Sequence, residues 1–415
     1  MNKKTLIFDA TIIAENLAYT SSRSGIFFAS YNVLKGLVKS DEFDISLYCG
    51  RVYSDKIIKF LHDNFGKNIK IIFGNRYGAL IERLSILDKK LREKHHNILK
   101  LLLNIFVRKP IRFIGKVSNL PEFDVAFSPC EAFQEKIHAK DKYIILYDTI
   151  PLLFSEYYPS LKTHWFNVLV KYIKSKPACK YFAISRSAKN DFVRLLDMNP
   201  DDITVIPLAA SDNFYQEKDS KKIKNVLEKY NIPTDKKYIF SLCTLEPRKN
   251  LIRSVKTFIE FIKKNNIDDM VFVLGGAHWK EFIGKLEKEI QDLGEYKDKI
   301  IRAGYIMDED LETLYSGAEF FVYTSQYEGF GMPPLEAMKC GCPVITSNNS
   351  SLPEVVGDAG IMIDWDSDEQ HIAAYEKYYF DKKYRDSMAK KGLERSKQFS
   401  WNKTVDIIIN DINKG

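Results

Sequence analysis

Short apolar runs recur along the whole chain, each followed by a longer stretch with helical spacing, and this alternation restricts the fold more than any single motif. In the first half they are TLIFDA (Thr5–Ala10), ISLY (Ile45–Tyr48), IKIIF (Ile69–Phe73), DVAF (Asp124–Phe127), KYIILYD (Lys142–Asp148), YFAI (Tyr181–Ile184) and ITVIP (Ile203–Pro207). KYIFSL (Lys237–Leu242), MVFVLGG (Met270–Gly276), KIIRAG (Lys299–Gly304), FFVYT (Phe320–Thr324), CPVIT (Cys342–Thr346) and GIMI (Gly360–Ile363) continue the series. Runs without polar alternation, separated by helices, indicate parallel strands covered on both faces. A chain of 415 residues exceeds the size of one hydrophobic core. The series therefore predicts an α/β protein of two doubly wound units. PLAASDNFYQEKDS (Pro207–Ser220) carries turn formers without periodicity and divides the chain near residue 210, into units 1–210 and 211–390.

Composition excludes several classes. With 45% hydrophobic and 28% charged residues the chain is neither disordered nor fibrous. Its six cysteines follow no framework spacing, and Met1 to Lys4 lead straight into an apolar run rather than a secretory signal. A reduced, cytoplasmic compartment is expected. Cys340 and Cys342 lack the histidines or second cysteine pair of a structural zinc site, so no metal is expected there. The net charge of +7 is partly concentrated between Arg83 and Lys116, where ten lysines and arginines face two acids. ILKLLLNIFV (Ile98–Val107) in that stretch is too short to span a bilayer. Two readings stay open: a basic amphipathic segment lying peripherally on an anionic membrane, or a core helix with a solvated basic face. No nucleic-acid motif accompanies the charge, and no nucleic-acid partner is expected.

Two α/β units sharing a cleft bind ligands at the carboxyl ends of their strands, so the loops there carry the chemistry. In TSSRSGIFFASYNVLKGL (Thr20–Leu37), Ser24 can cap a helix entered through Gly25, whose amide region could meet a phosphate or a sugar hydroxyl. YEGFGMPPLEAMKCGCPV (Tyr327–Val344) follows a strand run and is denser in signals. Pro333 and Pro334 suit a helix start, and Gly341 with Pro343 suits its end, predicting a short helix near Pro334–Cys340. Its N-terminus would face the loop EGFGM, where Gly329 and Gly331 let backbone amides approach an anion. Glu328 lies in that loop and Glu336 in the expected first turn. A capping box does not account for Glu336, because Pro333 holds the place of the serine or threonine. Two carboxylates flanking an amide-rich turn suit a diphosphate with hydroxyls at both ends. SLCTLEPRKN (Ser241–Asn250) supplies Arg248 and Lys249 after another strand.

EGFGMPPLEAMKCGCPVITSNNSSLPEVVGDAG (Glu328–Gly360), with TLEPRKN and RAGYIMDEDLETLYSGAEFFVYTSQYEGFG (Arg302–Gly331), resembles the retaining GT-B glycosyltransferases of family 4. Two glutamates separated by seven residues are the shared feature. YDTIPLLFSEYYP (Tyr147–Pro159) and AISRSAKNDF (Ala183–Phe192) resemble family segments more loosely. The resemblance implies two Rossmann-like domains facing a central cleft, with residues 391–415 forming a helix that crosses back to the first. It implies that Glu336 holds the nucleotide ribose, and that Glu328 with the amides of Phe330 and Gly331, beside Gly329 and Met332, holds the donor sugar. Arg248 and Lys249 would neutralise the leaving diphosphate, Tyr305 and Ile306 would flank the base, and Gly25 would approach the phosphate. Where many relatives have His-Asp this chain has Tyr147–Asp148, so a histidine role is unsupported; Asp148 is either catalytic or a strand-end turn carboxylate.

The implied activity is transfer of a hexose from a nucleotide sugar to a glycan or lipid-linked acceptor in surface polysaccharide or lipopolysaccharide synthesis. SSLPEVVGDAG (Ser350–Gly360) resembles mannosyltransferase-like members, which favours GDP-mannose as donor. No cofactor is implied, since preorganised cations can stabilise the leaving group without a metal. Asp364, Asp366 and Asp368 in DWDSD are expected on a solvated turn. A nucleotide-sugar epimerase on the same scaffold and a non-catalytic glycan-binding protein are the alternatives.

Overall fold

The computed structural model describes residues 3–19, 25–50, 54–73, 120–133, 137–158, 164–276 and 280–414. The basic stretch 83–116, with the membrane reading attached to it, lies outside the described residues, as does Ser24.

Every predicted run is a strand, with ends shifted by a few residues. The first sheet holds β1 (Lys4–Asp9), β2 (Phe43–Tyr48), β3 (Lys70–Ile72), β4 (Phe123–Ser128), β5 (Ala139–Leu146), β6 (Lys180–Ala183) and β7 (Ile203–Val205), in the order β3-β2-β1-β4-β5-β6-β7. The second holds β8 (Lys237–Leu242), β9 (Met270–Gly275), β10 (Ile300–Gly304), β11 (Phe320–Tyr323), β12 (Val344–Ser347) and β13 (Gly360–Ile363), in the order β10-β9-β8-β11-β12-β13. All pairings are parallel. In each sheet the order reverses beside its first strand, at β1/β4 and at β8/β11. That reversal opens a crevice at the strands' carboxyl ends.

The apolar runs are unalternated because both sheet faces are covered. In the first sheet Leu6, Phe8, Phe127, Tyr143 and Phe182 face one cluster, while Ile7, Ala126, Ile144, Tyr181 and Ala183 face another. Rings of Phe8, Phe127, Phe182 and Tyr143 stack in series across four neighbouring strands, with centroids 5.3 to 5.9 Å apart.

The last helix, Trp401–Lys414, follows the second sheet in sequence but packs on helix Gly25–Ser40 beside the first. Val405, Ile408 and Ile412 are buried there. The approach requires glycine at position 36, where a Cβ would collide with Val405 Cγ2. Polar bonds hold the two ends: Thr404 Oγ1 donates to the Pro207 carbonyl, and Lys4 Nζ to that of Ile412. No helix among the described residues is long and apolar enough to cross a membrane.

Candidate active site

The reversal at β8/β11 brings two loops together. Beyond β8, Pro247–Lys249 forms a single 3-10 turn that presents Arg248 and Lys249; beyond β11 comes the loop carrying Glu328. Glu328 Oε1 accepts from Lys249 Nζ at 2.6 Å and from Arg248 Nη1 at 3.0 Å. Lys249 also donates to the Tyr323 hydroxyl at 2.8 Å, and Arg248 also pairs with Glu246 and with the Tyr327 carbonyl. Arg248, Lys249 and Glu328 are 6%, 9% and 7% exposed, so the charges interact with little solvent screening. Burial opposes ionisation of Glu328, but the Arg248 and Lys249 charges outweigh it and hold the carboxyl down at about 2.

The first sheet closes over this cluster. Tyr158 donates its hydroxyl to Glu246 Oε2 at 2.8 Å. Asp148 lies directly against Gly329: a Cβ there would meet Asp148 Cβ at 2.9 Å and the Tyr147 carbonyl at 3.0 Å. Burial raises the Asp148 carboxyl, partly offset by Arg248 and by the Ile150 amide that its Oδ1 accepts. Asp148 is thus both a strand-end turn carboxylate and a neighbour of the cationic pair.

Helix Met332–Lys339 begins two residues before the expected Pro334, because Gly331, with φ +116°, turns the chain sharply enough for Met332 to start it. The consequence is a correction: Glu336 lies beyond the first turn rather than within it. Its carboxylate accepts from the Tyr315 hydroxyl at 3.1 Å and lines a cavity of about 720 Å³ between the two sheets. Burial pushes this carboxyl up to about 7. Gly25, Met332 and Tyr305 line the same cavity, and Trp401 reaches it from the last helix. Ile306 does not; at 3% exposure it packs against Gly275, and Met307 takes the cavity face beside Tyr305. Phe330 is buried, its ring in an edge contact with Phe399, and it does not line the cavity.

Sequence reasoning missed the residues that hold the loop in place. Ser347 Oγ donates to the Ser325 carbonyl, Asn349 Nδ2 to that of Gln326, and Ser350 Oγ accepts from the Glu328 amide. Ser351 Oγ lies 3.0 Å from the Glu328 carbonyl and 2.6 Å from that of Phe330. The signal was TSNNSS, hydroxyl and amide residues packed behind β12, which competes for backbone groups wherever it lies. Glu246 and Tyr158 carried no such signal. Asp364 is bonded by Gln370 and Asp368 pairs with Arg253; among the described residues no group of three candidate metal ligands occurs.

Residues 222–395 match the family model described as glycosyl transferases group 1. O-antigen chain mannosyltransferase B of Escherichia coli is 33% identical over 227 residues, covering 55% of this chain and 58% of that protein. The serotype-specific mannosyltransferase WbdA of Escherichia coli is 29% identical over 269 residues, 64% of this chain and 32% of its own length. The chain thus spans less than two thirds of either relative. In structure it is similar to HepE from Anabaena, solved in complex with UDP and glucose, with a TM-score of 0.68 at 14% identity. That likeness covers 99% of this chain and 100% of the other, and the fold is the GT-B fold of two facing Rossmann-like units.

Proposed function

We propose, for a chain whose second unit is a glycosyl transferases group 1 domain, that it moves a hexose from a nucleotide-diphosphate sugar to a glycan or lipid-linked acceptor with retention of configuration. In this reading residues 211–390 bind the donor, 1–210 receive the acceptor, and 391–415 tie the units together. One observation carries it: Arg248, Lys249 and Glu328 converge where the second sheet reverses, while Glu336 faces the cavity from the second turn of the short helix that follows the Glu328 loop. A diphosphate bridging the two places would have its ribose at Glu336 and its sugar at Glu328.

Breaking the glycosyl–phosphate bond leaves negative charge on the diphosphate and positive charge on the sugar. Arg248, Lys249 and the helix end at Met332 are preorganised for the first; Glu328 and Asp148 lie near the second. With two cations supplied by the chain, a metal is not needed for this step. Mannose is favoured as the sugar, the E. coli relatives named above being mannosyltransferases. GDP is favoured as the nucleotide because Asp308 and Glu309 line the cavity, and carboxylates match the donor edge of guanine. Peripheral contact with an anionic membrane belongs to the same reading and rests on the charge of residues 83–116.

The test is a thermal-shift panel of GDP, UDP, dTDP and their sugars, since saturation to 100 times Kd stabilises by about 2.7 kcal/mol. GDP and GDP-mannose should give the largest shifts. A response to UDP species alone overturns the base; acceptor-free conversion of UDP-N-acetylglucosamine would identify an epimerase.

A further inference from the structure

Three consecutive carbonyls of the donor loop are held in opposed directions. Those of Glu328 and Phe330 meet Ser351, from the second unit. The one between them, Gly329 O, accepts from Ser185 Oγ of the first unit at 2.7 Å. A trans peptide is planar, with its N–H opposite its C=O, so fixing the Gly329 carbonyl also fixes the Phe330 amide.

Ser185 is the N-cap of helix Arg186–Leu196, accepting from the Ala188 amide at 3.0 Å. The next two amides of that helix bind a carboxylate across the interface: Arg186 N to Glu354 Oε2 at 2.9 Å and Ser187 N to Glu354 Oε1 at 2.7 Å. Ser351-x-x-Glu354 has the spacing of a capping box, in which Glu354 would fold back on its own helix. It instead spends its carboxylate on the first unit. Arg395 braces it from behind, donating to the carbonyls of Glu354 and Val355. One short helix, Leu352–Val356, therefore links the donor loop at its N-cap to the opposite unit one turn later.

We propose that Glu354 and Ser185 form a latch between the units, and that Ser185 is a positioning residue that sets the Phe330 amide for the donor sugar only when the units are closed. Neither side chain lies in the cationic cluster or the cavity. The positioning half rests on the proposed function; the latch does not.

The full chain is compared with Glu354→Gln, which keeps the shape but offers one acceptor, and with two variants of Ser185. Ser185→Asp keeps the helix cap and loses the donor to Gly329; Ser185→Thr keeps both. Small-angle scattering and hydrogen exchange of the unliganded proteins come first. The radius of gyration should rise in Glu354→Gln, and the Ser187 amide should lose protection; unchanged values overturn the latch. Initial rates come second. Glu354→Gln and Ser185→Asp should lower kcat about 10- to 100-fold, as expected for misplaced reacting groups, while the Kd for GDP shifts less than about threefold and Ser185→Thr restores kcat. Equal losses in kcat, GDP binding and melting temperature in both Ser185 variants indicate a merely structural role and overturn the positioning. If the wild type transfers no sugar from any donor, the proposed function and the positioning fail together, and the scattering still decides the latch.

Discussion

Lys249 Nζ and Arg248 Nη1 donate to the same oxygen of Glu328, so a carboxylate of the chain itself partners both buried cations. Two buried cations thereby find their counter-charge within the chain. In the proposed function a donor's diphosphate would share or replace this pairing.

Glu328→Gln separates these two roles. Removing one partner of a buried charge cluster should cost about 3 kcal/mol of stability. GDP should bind no more weakly, because one competing charge is gone, while sugar transfer falls at least about 100-fold. The sign of the pH dependence follows from the depressed carboxyl. Glu328 contributes stability above its ordinary value of 4.5, lost as pH falls toward 2. Urea unfolding of both proteins between pH 2 and 7 checks this; a gap that persists at pH 2 contradicts it.

Glu336 has the opposite sign. Its carboxyl is raised from 4.5 to about 7, so the folded state keeps a proton that the unfolded chain releases. That stability is complete below 4.5 and declines as pH rises to about 7. Relative to Glu336→Gln, wild type should lose stability across this window and level off above it. Calorimetry in buffers of different ionisation enthalpy should also register proton release on GDP binding at pH 6.

Gly329→Ala should push the units apart, because its Cβ would stand 2.9 Å from Asp148. Overpacking of this kind costs typically about 1–3 kcal/mol. Transfer should fall more than tenfold while GDP binding at the Glu336 end is retained. Kinetics beside a GDP titration decide, and unaltered turnover rejects the close approach.

Alanine at an interior helix position normally stabilises by about 1 kcal/mol relative to glycine. Gly36→Ala should do the reverse here, because Val405 occupies the space. Val405→Ala should relieve the clash, so a double-mutant cycle should show coupling of the order of 1 kcal/mol. Additive changes would mean the last helix does not pack as described.

Turnover should survive exhaustive chelation with EDTA, since Arg248 and Lys249 supply the charge that a divalent ion would bring. Activity lost on chelation and regained with Mg²⁺ would reject metal independence.

The sequence alone determined the strands, their parallel sense and the candidate pieces of the site. These follow from local rules: unalternated apolar runs need cover on both faces, and prolines and glycines bound short helices. It also marked Arg248, Lys249, Glu328 and Glu336 as candidates, since their residue types suit a diphosphate between hydroxyls. What it could not supply was partnership. Glu354 has the spacing of a self-capping residue and binds another unit; Ile306 sits in a loop and points into the core; Gly36 reads as a weak point in a helix and admits Val405. Only the tertiary structure decided these, because each depends on which atom of a distant segment lies within about 3 Å. Chain periodicity carries no information about that distance.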